Sequence, residues 1–386
     1  MIIVWINKRN WKTPGPIVNM AIHNAASFSE LGYETHLCIG SGQPSDTDTD
    51  MADFYGIEKN EQFTIHRIPR YRFLNGSYSL SVFIYGYRLI KKLAQKDTVA
   101  VFTRESGFLF FLKRLCKSNP KVKGFYELHD LYADLSWVDD KTSGHRREWL
   151  YEHYFLPRIN GLVCITKEQE KRYNAIFPSV PTCAFPLGTQ PVGMQVSPEE
   201  KRARRTLIYV GHMHGEKGVD FLLSSARVLS KKKIRTLFLG GKDRQIPGFQ
   251  NRAAELGVAD HVQFVPFQPP EAMHRVMARE ASLGVVMLKD TYYNRYLTCP
   301  VKALDYLSHG IPAIGSDIPS VHEVLEDAGT YIAADDMDGF IDAVLGILDN
   351  PERYADLSKR AMQRAEEISW SMRANHLSAF AKAVSH

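Results

Sequence analysis

Three side chains that can ionise lie at the end of a predicted strand in the first half of the chain. Residues 122–128 have the pattern of a buried strand that ends in Glu127 and Leu128, and His129 and Asp130 follow directly. Because α/β enzymes keep their chemistry at the carboxyl edge of a parallel sheet, this cluster is a candidate catalytic site. The alternative is a structural histidine that is held by a carboxylate partner.

A second candidate site is the glycine-bearing loop at residues 211–218, which contains Lys217. The loop joins a predicted strand at 206–210 to a helix that begins at Val219, and such a unit is typical of a phosphate cradle. It matches neither the G-x-G-x-x-G pattern nor the P-loop, so neither dinucleotide binding nor ATP hydrolysis is indicated. Lys217 is well placed to neutralise a diphosphate. The alternative is a plain turn between a strand and a helix.

A third candidate is the helix that is predicted to begin after Pro300 and to end at Gly310. The free N–H groups at such a helix start attract an anion, most often a phosphate. Lys302 lies in the first turn, where a cation is unfavourable unless an anion is near. Asp305 shares its face and could accept hydrogen bonds from a ribose diol. The alternative is a surface helix that carries a Lys–Asp pair.

The elements that must position these residues alternate between strand and helix along the whole chain, which predicts an α/β fold with parallel sheets. The pattern is interrupted near residue 190, and we place a domain boundary there. The chain of 386 residues is long enough for two domains, 1–190 and 191–369, followed by a last helix from residue 370. Residues 7–16 and 292–296 are predicted to be loops.

The composition is that of a globular protein with a mildly basic net charge of +5. Its basic runs could meet an anionic lipid or a polyanionic ligand, but they carry no recognised nucleic-acid motif, so we expect no nucleic-acid partner. The five scattered cysteines fit a reducing compartment and argue against a zinc site. No apolar run reaches the ~18 residues of a membrane-spanning helix, and the first residues resemble a buried strand more than a signal peptide.

A D-x-D pattern occurs between Asp46 and Asp50, and this pattern is the metal signature of one class of sugar-transfer enzymes. The acids lie in a tract rich in Ser, Pro, Asp and Thr, and not at the end of an apolar strand that could hold a metal rigidly. We therefore expect no metal site and no cofactor.

Taken together, these motifs resemble glycosyltransferase family 4, the retaining sugar-nucleotide transferases with the GT-B fold. The resemblance covers nearly the whole chain and is strongest from about 206 to 370. It rests on V-G-H at 210–212 with E-K-G-V-D at 216–220, L-G-G at 239–241, P-V-K-A-L-D-Y-L at 300–307 with G-I-P at 310–312, and S-W at 369–370. In the first half, Thr103-Arg104 and Glu127-x-His129-Asp130 resemble the acceptor-side motifs of the family.

The resemblance implies two Rossmann-like βαβ domains that face each other across a cleft, with the helix at 370–386 packing back on the N-terminal, acceptor-binding domain. It implies catalytic roles for Glu127, His129 and Lys217, where Lys217 holds the donor diphosphate and His129 lies beside the reacting sugar. Acceptor contacts are assigned to Trp11 and Arg104. The residues implied in donor binding are Gly15, Gly211, His212, Gly241, Pro266, Arg295, Cys299, Pro300, Val301, Lys302 and Asp305.

The chain departs from the family pattern at four places. His212 stands where an arginine is usual, and a phosphate cation could be supplied instead by Arg295. Leu297 replaces a glutamate that contacts the donor sugar, and Asp305 replaces the usual ribose-binding glutamate. The loop around Gly15 has one glycine where two are common.

The expected activity is metal-independent transfer, with retention, of a sugar from a UDP- or GDP-sugar to a glycan or lipid-linked acceptor. A role in synthesis of cell-envelope polysaccharide or glycoconjugate is expected, in the cytoplasm or in peripheral contact with the inner face of the membrane. Two alternatives stay open: a GT-B epimerase that acts on a free sugar nucleotide, and a non-catalytic GT-B protein that binds a nucleotide.

Overall fold

The predicted alternation of strands and helices is present in two separate units. The computed structural model describes residues 1–46, 50–58, 60–73, 76–193, 195–213 and 218–384, and for residues 50, 71–73 and 76–78 it describes the backbone. Unit 1 consists of Met1–Gly188 together with Trp370–His386, and unit 2 consists of Thr189–Ser369. The boundary therefore lies two residues before the position that was predicted.

Unit 1 contains a parallel sheet of seven strands flanked by helices. Its strands have the order β3-β2-β1-β6-β7-β8-β9. In chain order its elements are β1 (Ile2–Asn10), α1 (Pro16–Glu30), β2 (Thr35–Gly40), α2 (Asp50–Tyr55), β3 (Phe63–Ile68), the hairpin β4 (Tyr71–Phe73) and β5 (Gly76–Tyr78), α3 (Leu80–Leu93), β6 (Val99–Thr103), α4 (Leu109–Ser118), β7 (Val122–Leu128), α5 (Ser143–Phe155), β8 (Gly161–Cys164), α6 (Lys167–Ile176) and β9 (Thr182–Ala184).

The strand order of this sheet reverses between β1 and β6. The two strands run parallel, and their pairing ends where Ile6 lies beside Thr103, the last residue of β6. Loops that leave a sheet at such a reversal diverge to opposite faces and leave room for a ligand. The buried face of the sheet is held by stacked aromatic rings, with centroids 5.5 Å apart for Trp5 and Phe102 and 5.0 Å apart for Phe102 and Phe125.

Unit 2 contains a parallel sheet of six strands in the order β12-β11-β10-β13-β14-β15. Its elements are α7 (Pro198–Ala203), β10 (Thr206–Val210), α8 (Val219–Leu229), β11 (Arg235–Gly241), α9 (Ile246–Glu255), β12 (Val262–Pro266), α10 (Pro270–Glu280), β13 (Leu283–Val286), α11 (Tyr292–Tyr296), α12 (Val301–Ser308), β14 (Ala313–Ser316), α13 (Pro319–Leu325), β15 (Gly329–Ile332), α14 (Met337–Leu348) and α15 (Pro351–Glu367). The last helix of the chain, α16 (Trp370–Ala383), belongs to unit 1. The order again reverses once, between β10 and β13.

Two of the predicted loops are wrong in part. Strand β1 continues to Asn10, where it pairs with Gly40 after a shift in register, so the expected loop 7–16 begins later. Residues 292–296 form the short helix α11, whose first turn is capped by the Thr291 hydroxyl accepting from the Asn294 N–H at 3.2 Å. Strand β3, the hairpin β4–β5 and helices α2 and α7 were not predicted. They are short or lie at edges, where the periodic signal in the sequence is weak.

Candidate active site

The carboxyl end of β7 in unit 1 carries the predicted cluster of Glu127, His129 and Asp130. The Nε2 atom of His129 lies 2.6 Å from Oε1 of Glu127. The other carboxylate oxygen of Glu127 accepts a hydrogen bond from Nη2 of Arg373, also at 2.6 Å. Glu127 is 3% exposed and Arg373 is fully buried. The structure therefore contains a series of three polar side chains that leads from the buried Arg373 and Glu127 to the partly exposed His129.

Arg373 reaches this cluster from α16, near the end of the sequence. Its Nε donates to Oδ1 of Asn24 on α1 at 2.9 Å, and its Nη1 donates to the carbonyl oxygens of Phe185 and Pro186. Because a guanidinium has a fixed planar fork, these bonds fix the orientation of the Glu127 carboxylate. Arg373 was not among the predicted site residues. The available signal was an arginine on the apolar face of the last helix, four residues before Leu377 and next to Ala374.

The charge state of the cluster follows from its surroundings. Burial by itself raises the pKa of Glu127, but the hydrogen bond from His129 and the charges of His129, Arg373 and Arg104 outweigh it and hold the pKa at about 2. Burial, assisted by the nearby Arg104, lowers the pKa of His129 to about 4. At neutral pH, His129 is therefore a neutral imidazole that donates its Nε2 proton to an ionised Glu127. Its Nδ1 atom then carries a lone pair.

A cavity of about 440 Å³ opens over this cluster at the reversal point of the sheet. Residues at the ends of three neighbouring strands line it, from β1 (Lys8, Arg9), after β6 (Arg104, Glu105, Ser106) and around the end of β7 (Glu127, His129, Asp130). Helix α5 contributes further polar side chains. Arg104, a predicted acceptor contact, is thus in the same cavity as Glu127 and His129.

In unit 2, the ends of β10 and β11 approach each other very closely. The Gly211 N–H donates to the Leu239 carbonyl at 2.9 Å, and a Cβ on Gly240 would lie 2.9 Å from the Gly211 carbonyl oxygen. Both glycines have a φ of 121°, a conformation that L side chains rarely adopt. At these two glycines, the backbones at the ends of β10 and β11 therefore approach closely with no side chain between them. We call this close approach of Gly211 and Gly240 the glycine crossing, or backbone crossing.

Helix α12 begins beside this crossing. A Cβ on Gly211 would lie 3.9 Å from Cε of Lys302, whose Nζ lies 3.7 Å from the centroid of the Tyr209 ring. The helix is held in place by the fully buried Tyr306, whose hydroxyl accepts from the Val210 N–H and donates to the Ile208 carbonyl, both at 3.0 Å. The lysine and the first N–H groups of α12 are therefore fixed relative to the end of β10.

Asp305 lies on the next turn of α12. Burial raises its pKa to about 7, and the charge of Lys302 opposes this rise. A carboxylate at this place is poised between its ionised and its protonated form at neutral pH. It is the predicted ribose contact.

The comparisons with known proteins agree with this architecture. Residues 204–350 match the family model of glycosyl transferases group 1. A D-inositol 3-phosphate glycosyltransferase of Nocardia farcinica is 24% identical over 179 residues, which is 44% of this chain and 38% of that protein, so less than half of that relative is spanned. An uncharacterized glycosyltransferase of Haemophilus influenzae is 21% identical over 366 residues, 93% of this chain and 94% of that protein.

The solved structures decide the fold. A mutant of S. aureus TarM, crystallised with fondaparinux, alpha-GlcNAc-glycerol and UDP, superposes with a TM-score of 0.74 at 9% sequence identity over 99% of both chains. The chain has the GT-B fold. The predicted fold class is confirmed, and the match to the glycosyl transferases group 1 model lies within unit 2 of this GT-B protein.

Other predicted donor residues of the GT-B chain lie on several elements. Gly15, with a φ of 107°, directly precedes α1. His212 is exposed at the crossing, Gly241 packs against Met213, and Pro266 ends β12.

Three predicted donor residues lie at the start of α12. Cys299 and Pro300 are buried before this helix, and Val301 is its first residue. Arg295 forms an ion pair with Asp290 at 2.6 Å on α11, so its guanidinium is already engaged by a carboxylate. Lys217 lies outside the described residues.

Two further predictions concern Trp11 and the D-x-D loop. Trp11 is 2% exposed, with its ring 5.0 Å from that of Tyr55, so the interpretation as an acceptor contact is corrected to a core side chain. Asp46 accepts from the Gln43 N–H at 2.7 Å, and residues 47–49 lie outside the described residues. Within the part of the chain that the structure describes, no three His, Cys, Asp or Glu side chains form a group that could hold a metal.

Proposed function

We propose that this GT-B chain is a retaining glycosyltransferase that moves a sugar from a nucleoside diphosphate to a glycan or lipid-linked acceptor. The observation that carries the proposal is the backbone crossing of Gly211 and Gly240 beside Lys302 and the start of α12. It lies inside the segment that matches the group 1 family model.

The departure of a diphosphate is the step that this arrangement serves. As the glycosidic bond breaks, negative charge develops on the leaving phosphate, and donors that are already fixed in place stabilise it most effectively. The start of α12 presents N–H groups that have no partner within the helix, and Lys302 adds a positive charge in the same turn. Lys217 is proposed to be the second cation. No step in this scheme requires a metal.

The nucleoside would be read by Asp305 and by the end of β12. An ionised carboxylate can accept hydrogen bonds from both hydroxyls of a ribose. The solved TarM complex contains UDP, which favours a UDP-sugar as the first donor to test.

The acceptor would occupy the cavity of unit 1. There the neutral His129 offers an Nδ1 lone pair, and its orientation is set by Glu127. Retention would follow if the acceptor hydroxyl attacked on the face from which the diphosphate leaves. Glu127 is held by Arg373 and so acts by orienting His129.

The experiment is a thermal-shift screen of UDP, GDP and ADP sugars, followed by product analysis. We expect one sugar nucleotide to stabilise the protein, and its sugar to appear on an acceptor with an unchanged anomeric configuration by NMR. The same rate is expected with EDTA and with added Mn²⁺. Conversion of the donor alone into an epimer would overturn the proposal in favour of the epimerase. Binding without any turnover would overturn it in favour of a non-catalytic protein.

A peripheral contact with the inner membrane surface is the proposed cellular setting. None of the helices in the described residues has the length and apolarity to cross a bilayer. On α4, Phe110, Lys113, Arg114 and Lys117 follow helical spacing on one face, and Phe110 is 56% exposed. Lys113 donates to the Tyr154 hydroxyl of α5 at 2.9 Å, which joins a second exposed aromatic ring to this face.

Aromatic rings interleaved with lysines suit an interface of anionic lipid. Sedimentation with vesicles that contain phosphatidylglycerol tests the contact. We expect binding that falls with added salt and in the variant Lys113→Gln with Lys117→Gln. Equal binding to neutral phosphatidylcholine vesicles would contradict it.

A further inference from the structure

The charges that line the cavity of unit 1 can be accounted for one by one. Lys8 pairs with Glu105 at 2.9 Å, and Arg147 pairs with Glu148 at 2.7 Å. Glu127 forms an ion pair with the buried Arg373, at 2.6 Å. Each of these carboxylates is therefore already neutralised by a cation of the protein.

The remaining carboxyl group of α5 is uncharged at neutral pH. Glu152 is 2% exposed, and burial raises its pKa to about 8, despite the hydrogen bonds from Tyr173 and from the Ala133 N–H. The Tyr173 hydroxyl donates to it at 2.6 Å. Glu152 therefore offers a protonated carboxyl and no charge to the cavity.

Two arginines are left over. Among the residues that the structure describes, neither Arg9 nor Arg104 is paired with a carboxylate. They line the cavity from the ends of β1 and β6, which are neighbours in the sheet. Asp130 and Glu152 are the two carboxyls of the described lining that have no cation within ion-pair distance, and burial raises the pKa of both. The cavity thus carries more positive charge than its own carboxylates neutralise.

We propose that this cavity binds an acceptor that carries an anionic group, a phosphate or a carboxylate, which Arg104 and Arg9 contact. The inference rests on the proposed function, because it names the acceptor class of that site. The hydroxyls of the acceptor face His129 and Asp130, which can accept and exchange hydrogen bonds. A planar guanidinium matches the two oxygens of a phosphate or carboxylate, and this geometry selects such a group over a neutral hydroxyl. The volume is within the range of small-molecule sites.

The two arginines could instead contact the diphosphate of the donor. The two possibilities differ in which affinity the arginines determine, that for the acceptor or that for the nucleotide. An anionic acceptor predicts that Arg104 governs the affinity for the acceptor and leaves the affinity for the nucleotide unchanged. A donor diphosphate predicts the reverse.

The test is isothermal titration calorimetry on the full chain with inorganic phosphate, glucose 6-phosphate, glucuronate and glucose, each with and without UDP. We expect the anionic probes to bind at least about tenfold more tightly than glucose. Hydrogen bonds to charged groups contribute about 1.5–3 kcal/mol, so Arg104→Gln should weaken the anionic probes by about 10- to 100-fold. Arg9→Gln should have a smaller effect.

Controls separate a folding defect from a lost contact. Arg104→Lys should keep part of the preference for anions, and Arg158→Gln, exposed on the same unit and outside the cavity, should bind as the unaltered chain does. Glucose binding as tightly as the anionic probes overturns the proposal. The proposal is also overturned if Arg104→Gln keeps the preference for anionic probes over glucose, or if it loses affinity for UDP instead. Failure of UDP to bind the unaltered chain would count against the proposed donor and would leave the preference for anions standing.

Discussion

The two candidate sites of this GT-B protein are built from different materials. In unit 1, the site is made of side chains: a buried arginine, a carboxylate and a histidine in a fixed series. In unit 2, it is made largely of backbone, where Gly211 and Gly240 cross beside the start of α12. Side chains can be exchanged to suit another ligand. Under the proposed function, this backbone site would hold the part that all nucleoside diphosphate donors share, which is the diphosphate.

The two sites also tolerate change in different ways. A buried charge pair depends on both partners, since removing one leaves the other charged and without compensation. The glycine crossing depends on the absence of a side chain at Gly240, since a Cβ there would lie 2.9 Å from the Gly211 carbonyl oxygen. A single substitution can therefore disrupt either the charge pair or the glycine crossing. The loss of stability that follows measures how much the unit depends on that feature.

The largest effect is expected from Arg373→Met. It leaves Glu127 buried and ionised with no guanidinium beside it, so we expect a loss of about 3–5 kcal/mol in the free energy of unfolding. Urea denaturation measures it. Arg360→Met is the control, because Arg360 forms exposed pairs with Asp327 and Asp356, and such pairs contribute about 0–1 kcal/mol. The double change Arg373→Met with Glu127→Gln should recover part of the loss. A single variant as stable as the control would refute the role of Arg373.

The next effect concerns turnover. Lys217→Ala should lower the transfer rate by about 100- to 1000-fold, as for loss of one donor that stabilises transition-state charge. The change should not affect the unfolding transition. Lys231→Ala, at an exposed position after α8, is the matched control and should transfer at the normal rate. Product formation under initial-rate conditions measures both, and near-normal turnover of Lys217→Ala would remove the proposed cation.

The glycine crossing can be tested through stability. Gly240→Ala places a Cβ 2.9 Å from the Gly211 carbonyl oxygen at a φ of 121°, so we expect a loss of about 2 kcal/mol. Gly257→Ala also has a positive φ, of 69°, but no atom within 4 Å of the added Cβ, and its loss should be only about 1 kcal/mol. Urea denaturation of both variants separates collision from backbone strain. Equal losses would show that the close approach does not matter.

The sequence predicted the backbone site better than the side-chain site. Glycine and proline mark turns and helix ends directly, so the loop after β10, the end of β11 and the start of α12 were visible as patterns. Central parallel strands are apolar runs, and these were also found. The edge strand β3 has the sequence F-T-I-H-R-I, whose partly exposed polar residues resemble a loop.

The side-chain site depends on contacts that are remote in sequence. Arg373 and Glu127 are separated by 246 positions, and nothing local links them. Arg373 was overlooked, whereas Trp11 was predicted to be an acceptor contact and is a core side chain with 2% exposure. An aromatic residue in a polar segment gives no local sign that the fold buries it. Burial of a polar or aromatic side chain is a property of the assembled unit, which is why the sequence located the site in unit 1 but not what holds it together.

The smallest effect should appear in nucleotide binding, and it sharpens the contrast because Asp305 brings a carboxylate to a site in unit 2 that is otherwise made largely of backbone. Asp305→Asn removes the charge that would accept from the ribose, and we expect an affinity about fivefold weaker at pH 8, from a loss of about 1 kcal/mol. Burial raises the pKa of Asp305 to about 7, so the carboxylate is mostly protonated below that pH. The affinity of the unaltered chain for UDP should therefore rise between pH 6 and pH 8, while that of Asp305→Asn changes less. Asp317→Asn, at an exposed carboxylate of the same unit, should follow the unaltered chain. Calorimetry that found the same pH profile in Asp305→Asn would exclude the carboxylate from the nucleotide site and leave that site to backbone and lysine alone.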